Sequence, residues 1–225
     1  GDTLLLFLPR GSRCADIVVM HGLVGADTPV HVPDLRDEEG RCKAYWQHEA
    51  PVPRMRIRVP DARMQYLLDA SVRNIYQVRE KVDGFLQYQP GPTVYRGLWL
   101  ADVLVSGNTS MTFGDTASVR SALEAGFRSQ LPTGQFRSLY PSEALNETPV
   151  FLTMMCRYAR TADNPGWLTR NWPILQQGVR WIESARMRTL DEPGAAYAGL
   201  LPPGFVDGGI SHRAADYGSL WWAMV

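Results

Sequence analysis

Eight residues carry the densest chemistry in the chain: Tyr95-Arg96-Gly97-Leu98-Trp99-Leu100-Ala101-Asp102. They set a phenol, a guanidinium, an indole and a carboxylate in one loop and the helix start after it. A flat indole covers the apolar face of a sugar ring. Arg and Asp hydrogen-bond its hydroxyls in bidentate fashion. The residue types fit a polyhydroxylated ligand, with Tyr95, Arg96 and Trp99 as contacts and Asp102 as a clamp. The competing explanation is an amphipathic helix start, with Asp102 complementing the helix dipole.

A second candidate is Asp207, set between Pro203-Gly204 and Gly208-Gly209. Glycine freedom lets its side chain reach into a pocket. Phe205, Val206, Trp221 and Trp222 supply the desolvation that raises a carboxyl pKa toward that of a general acid. An ordinary Asp-Gly turn is the simpler account. Arg137, Tyr140, His212, Tyr217 and Trp221 are further candidates for ligand contacts. Asp102, Glu143 and Glu147 are alternative acids, although acids at helix N-termini are common. His21, His31 and His48 make no metal spacing, and no phosphate loop or nucleophile elbow is present. No metal and no cofactor is expected.

Lysines and arginines balance acids, 23 to 23, so there is no electrostatic footprint for nucleic acid. No apolar run nears the roughly 20 residues that span a bilayer. Cys14, Cys42 and Cys156 form no CxxC; buried free thiols are the expectation, with Cys156 in the core. The ending Leu220-Trp221-Trp222-Ala223-Met224-Val225 predicts apolar surface that more of the same chain, or a partner subunit, covers.

Period-two runs at 3–8, 15–20, 28–32, 42–47 and 54–59 predict strands, with Glu38-Glu39-Gly40 as a break. Residues 1–59 therefore read as a β-rich segment, the end of a sandwich. At Pro60-Asp61 the period becomes helical. Asp61 caps a helix whose face runs from Met64 through Leu67, Leu68, Val72 and Ile75 to Val82. Helices follow from 98 to about 107, over 118–129, over 150–160 behind a Thr148 cap, over 167–188, and from 214. Long links at 84–97, 130–147 and 189–213 alternate with short ones. In a ring of antiparallel hairpins this gathers Tyr88, Tyr95, Arg96, Arg137, Tyr140, Tyr197, Asp207 and His212 at one mouth.

That order resembles the six-hairpin glycosidases, the (α/α)6 toroid of the glucoamylase, trehalase and rhamnosidase families. The resemblance covers residues 54–225. It rests on Tyr95–Asp102, on Leu131-Pro132-Thr133-Gly134-Gln135-Phe136, and on Gly199-Leu200-Leu201-Pro202 followed by Asp207-Gly208-Gly209, Tyr217 and Trp221. No Trp-Glu pair stands at the acid position, and Ala101 stands where an Arg often precedes the Asp. The resemblance implies a mainly α fold: residues 60–225 as the first half of an (α/α)6 barrel, preceded by the β remnant. It implies an inverting hydrolase for an oligosaccharide or glycoside, with Asp207 as acid and the base beyond Val225. A lyase on the same toroid would use Tyr140 or Tyr217 with His212. A non-catalytic glycan- or protein-binding helical module is the reading from another class.

Overall fold

A computed structural model describes residues 34–50, 57–91, 95–138, 144–192, 194–204 and 214–215. The chain divides into two compact units, residues 1–51 and 52–225. The described residues are mainly helical, with one small two-stranded sheet.

In the first unit, α1 (Leu35–Ala44) runs into a π-helical turn, Tyr45–Glu49. The strand expected at 42–47 is thus helix. Local terms decide it. The Asp34 carboxylate accepts from the N–H groups of Arg36 (2.9 Å) and Asp37 (3.3 Å). Arg41 pairs with Glu38, and Lys43 with Glu39, one turn apart. Glu38-Glu39-Gly40 is inside the helix, where Gly40 costs about 1 kcal/mol relative to Ala. Cys42 is free and exposed there, not buried. The strands expected within 1–33 lie outside the described residues.

In the second unit, Ile57–Val59 is not a strand. The Gln65 side chain pins it instead: Val59 N donates to Oε1 (2.9 Å) and Nε2 donates to Ile57 O (3.1 Å). Helix α2 (Ala62–Gln77) starts where the period changes, and Asp61 accepts from Arg63 N and Met64 N. It ends before Val82, which belongs to a hairpin of β1 (Arg79–Val82) and β2 (Phe85–Tyr88). Asp83 and Gly84 turn it with φ of 49° and 85°. Two positive φ values are the signature of a type I′ turn, which Asp-Gly favours.

Helix α3 (Leu100–Thr112) and α4 (Thr116–Gly126) are joined through Phe113-Gly114-Asp115. Helix α5 (Glu147–Thr161) and α6 (Pro165–Leu190) are joined through Ala162-Asp163-Asn164. Links this short make each pair an antiparallel hairpin. Asp115 caps α4 through Ser118 N at 3.0 Å, and Asn164 caps α6 through Trp167 N at 3.0 Å. Thr148 is not the cap of α5; its hydroxyl accepts from Phe136 N at 2.9 Å. Pro173 lies within α6. Cys156 is exposed on α5 rather than buried in the core.

Helix α5 is the most buried element, with Val150, Phe151, Leu152, Met154 and Met155 in the core. Gly107 does not end α3. It is the point where α3 meets α5, and a Cβ there would lie 2.6 Å from Met154 Cε. Similarly, a Cβ at Gly178 of α6 would meet Leu152 Cδ2 at 2.9 Å. The hairpin is tied to α4 by a buried ion pair: Arg79 Nη1 lies 3.0 Å from Asp115 Oδ2 and donates to Ser118 Oγ at 2.7 Å. After α6, Leu201 is buried, and Ala214 pairs with Gly204 in an isolated bridge. Ala214 therefore does not open a helix; the rest of that predicted helix lies outside the described residues.

The 130–138 link turns at Gly134 (φ 93°), where a Cβ would sit 2.2 Å from the Gln177 carbonyl oxygen. Backbone cannot swing aside as a side-chain tip can. Gly134→Ala is expected to cost about 2–3 kcal/mol, lowering Tm by about 5–10 °C in thermal unfolding.

Candidate functional site

Two contacts fix how α3 and α5 lie. Gly107 faces Met154, and near the helix starts the Asp102 carboxylate acts on that of Glu147. The two helices are therefore parallel, with N-termini at one end. The described residues that lead into them, 95–99 and 144–146, lie at that same end. The tight turns 113–115 and 162–164 lie at the other.

Glu147, in the first turn of α5, is 5% exposed. Ser138 N donates to its Oε2 at 2.8 Å, and Ser138 Oγ donates to Oε1. Burial pushes its carboxyl above the ordinary value of 4.5. The Ser138 bonds and the Arg137 charge oppose that shift, and the Asp102 charge adds to it. A net upward shift means desolvation outweighs the hydrogen bonds. Both carboxylate oxygens are engaged by Ser138, so Glu147 holds the segment carrying Arg137 rather than offering a free acid.

The Tyr95–Asp102 stretch is shared between two places. Asp102 and Arg137 both lie near enough for their charges to act on the Glu147 carboxyl, Arg137 lowering its pKa and Asp102 raising it. Tyr95 is exposed and sets its ring edge-on to Trp99, with centroids 5.5 Å apart at 61°. Trp99 immediately precedes α3. Arg96 pairs with Glu80 of β1. Gly97, at φ 116°, lets the chain reverse there, and its N–H donates to Gln89 Oε1. Arg96, Glu80 and Gln89 line a cavity of about 460 Å³ with Gln77, Arg79 and Gly91.

Tyr88, expected at the mouth, is a core residue: 1% exposed, donating to Ser110 Oγ at 2.8 Å, with burial pushing its hydroxyl up to about 12. Tyr197 donates to Glu192 Oε2 at 2.7 Å on the segment after α6. Tyr140, Asp207, His212, Tyr217 and Trp221 lie outside the described residues, as do Glu143 and Trp222. Gln77, Glu80 and Gln89 carry no motif of their own in the sequence. The signal that marks them is Asp83-Gly84, which makes 79–88 a hairpin and gathers its two ends. Among the described residues no group of three His, Cys, Asp or Glu side chains is placed to hold a metal ion. No described helix is long and apolar enough to cross a membrane.

Comparison with protein-family models, with curated proteins and with solved structures gives no match. What the geometry defines is a mainly helical chain whose second unit holds two antiparallel helix hairpins and one small β-hairpin among the described residues.

A raised carboxyl pKa favours the folded state most when the group is protonated. That contribution is full below about 4.5 and is lost as pH rises through the higher folded value. Glu147→Gln, neutral at every pH, is therefore expected to gain stability relative to the native chain between about pH 4 and pH 7. Urea unfolding of both proteins at each pH checks the trend.

Proposed function

We propose that the protein is a carbohydrate-acting hydrolase whose site lies at the N-terminal ends of α3 and α5. The observation that carries this reading is that Asp102 and Glu147 stand in the first turns of two parallel helices, with Asp102 and Arg137 both near enough for their charges to act on the Glu147 carboxyl, and that Tyr95 and Trp99 pair on the chain leading into the first of these helices. Asp102 accepts hydrogen bonds from sugar hydroxyls and Arg137 donates to them, while Trp99 and Tyr95 offer ring faces. Glu147 fixes Ser138 and with it the position of Arg137. Asp207, in its glycine-flanked loop, is the proton donor. Hydrolysis takes a second carboxyl group to activate water or attack the sugar, and a gap of about 6.5–9.5 Å between the two gives inversion. This reading places that second group outside the described residues. The two antiparallel helix hairpins support assigning the chain to an (α/α)6 toroid. The substrate is an oligosaccharide or glycoside, and the remaining hairpins come from further chain or from a partner subunit. The test is cleavage of a panel of aryl glycosides, with binding measured calorimetrically. Asp207→Asn is expected to lower kcat by about 10²–10⁴-fold and leave binding intact. Asp102→Ala is expected to weaken binding about tenfold, the loss of one charge-assisted hydrogen bond. Unchanged kcat in Asp207→Asn removes the acid assignment. Binding without cleavage by the native protein makes it a glycan-binding module instead.

A further inference from the structure

We propose that the cavity beside the β-hairpin is a subsite for an uncharged sugar residue, which, resting on the reading above, makes the substrate neutral rather than a uronic acid or sugar phosphate. The cavity measures about 460 Å³, within the range of small-molecule sites. Most of its surface is apolar, Val78 included, and the polar groups that can hydrogen-bond hydroxyls are those of Gln77, Glu80, Gln89 and Arg96. Gln77 makes no side-chain hydrogen bond to any described residue. Gln89 is 5% exposed and spends its Oε1 on Gly97 N, which leaves its amide N–H groups as donors. Gly91 N donates to Tyr95 O at 3.1 Å, closing the loop that carries Arg96 against this wall. A Cβ on Gly91 would lie 3.1 Å from Tyr95 Cβ, so the closure is tight.

Charge decides the ligand class. The cavity has two guanidinium groups, and each already has a carboxylate. Arg79, its side chain 9% exposed, is bonded to Asp115 and Ser118 and lies 3.9 Å over the Tyr76 ring. It is a fixed wall. Arg96 pairs with Glu80. An anionic ligand would meet no uncompensated cation and would approach the Glu80 carboxylate, which costs affinity. A neutral polyol meets acceptors on Glu80 and Gln77 and donors on Arg96 and Gln89, and leaves the charges balanced. Arg96 lies on the link into α3, six residues before Asp102 in its first turn, and on this proposal the cavity takes a sugar next to the one held there.

The test is a ¹H–¹⁵N titration of the labelled protein with methyl α-D-glucopyranoside, methyl α-D-mannopyranoside and D-glucuronate. At least one neutral glycoside is expected to shift the Gln77 and Gln89 side-chain amides, and glucuronate to bind at least about tenfold more weakly. Glu80→Gln, at a side chain 39% exposed, removes the carboxylate that repels an anion and is expected to abolish that preference with the spectrum still dispersed. Glucuronate binding as tightly as the neutral sugars to the native protein overturns the proposal, as does failure of all three to move these amides. Cavity shifts in a native protein that cleaves no glycoside leave this subsite standing and remove the hydrolase reading. Cleavage without cavity shifts does the reverse.

Discussion

Everything in the second unit depends on how closely its helices approach α5. The chain places glycines where α5 side chains arrive: Gly107 on α3 under Met154, Gly126 on α4 under Phe151, Gly178 on α6 under Leu152. A Cβ at these points would lie 2.6, 2.3 and 2.9 Å from the nearest side-chain atom. Met154 and Phe151 are fully buried, and Leu152 is 6% exposed. Burying such side chains contributes about 1.5–3 kcal/mol each, and the short separation multiplies their dispersion contacts. Three helices are thereby held around a fourth, and the hairpin directions follow.

That packing makes α3 and α5 parallel, and parallel helices share a positive end. Anionic and hydrogen-bonding groups are favoured there. Asp102 and Glu147 both stand in first turns, and the links before them carry Tyr95, Arg96 and Arg137. The links are held by polar contacts to the helices. Gln130 Nε2 donates to Ile174 O at 2.8 Å, Phe136 N to Thr148, and Ser138 to Glu147. On the other flank, Arg79 with Asp115 and Ser118 anchors the hairpin to α4, so the wall of the cavity is as fixed as the core.

The helices of this unit were legible because their apolar periods are long and their caps are conventional. Asp61 and Asp115 cap as their types require. The errors have physical causes. At 42–47, aromatic and Cys residues read as strand, but ion pairs one turn apart and the Asp34 cap outweigh β preference in a segment that buries nothing. At Gly107 a residue that reads as a breaker is a packing contact, and no single-chain pattern separates the two. At 79–88 the helical period was carried past its end to Val82, although Asp83-Gly84 announced the turn. Of the candidate site, the nearness of Asp102 to Glu147 is invisible in the sequence, because it arises from helix direction and not from spacing. The pairing of Arg96 with Glu80 is equally hidden, because it depends on the hairpin that brings β1 beside the link into α3.

Asp102 and Glu147 stand in the first turns of two parallel helices, near enough for one charge to act on the other. The direct measurement is the pKa of the Glu147 carboxyl, followed by ¹³C NMR titration in the native protein and in Asp102→Asn. The account predicts a native value above the ordinary 4.5, because burial dominates, and a fall toward it when the Asp102 charge is removed. A native value at or below 4.5 that is the same in Asp102→Asn would contradict it.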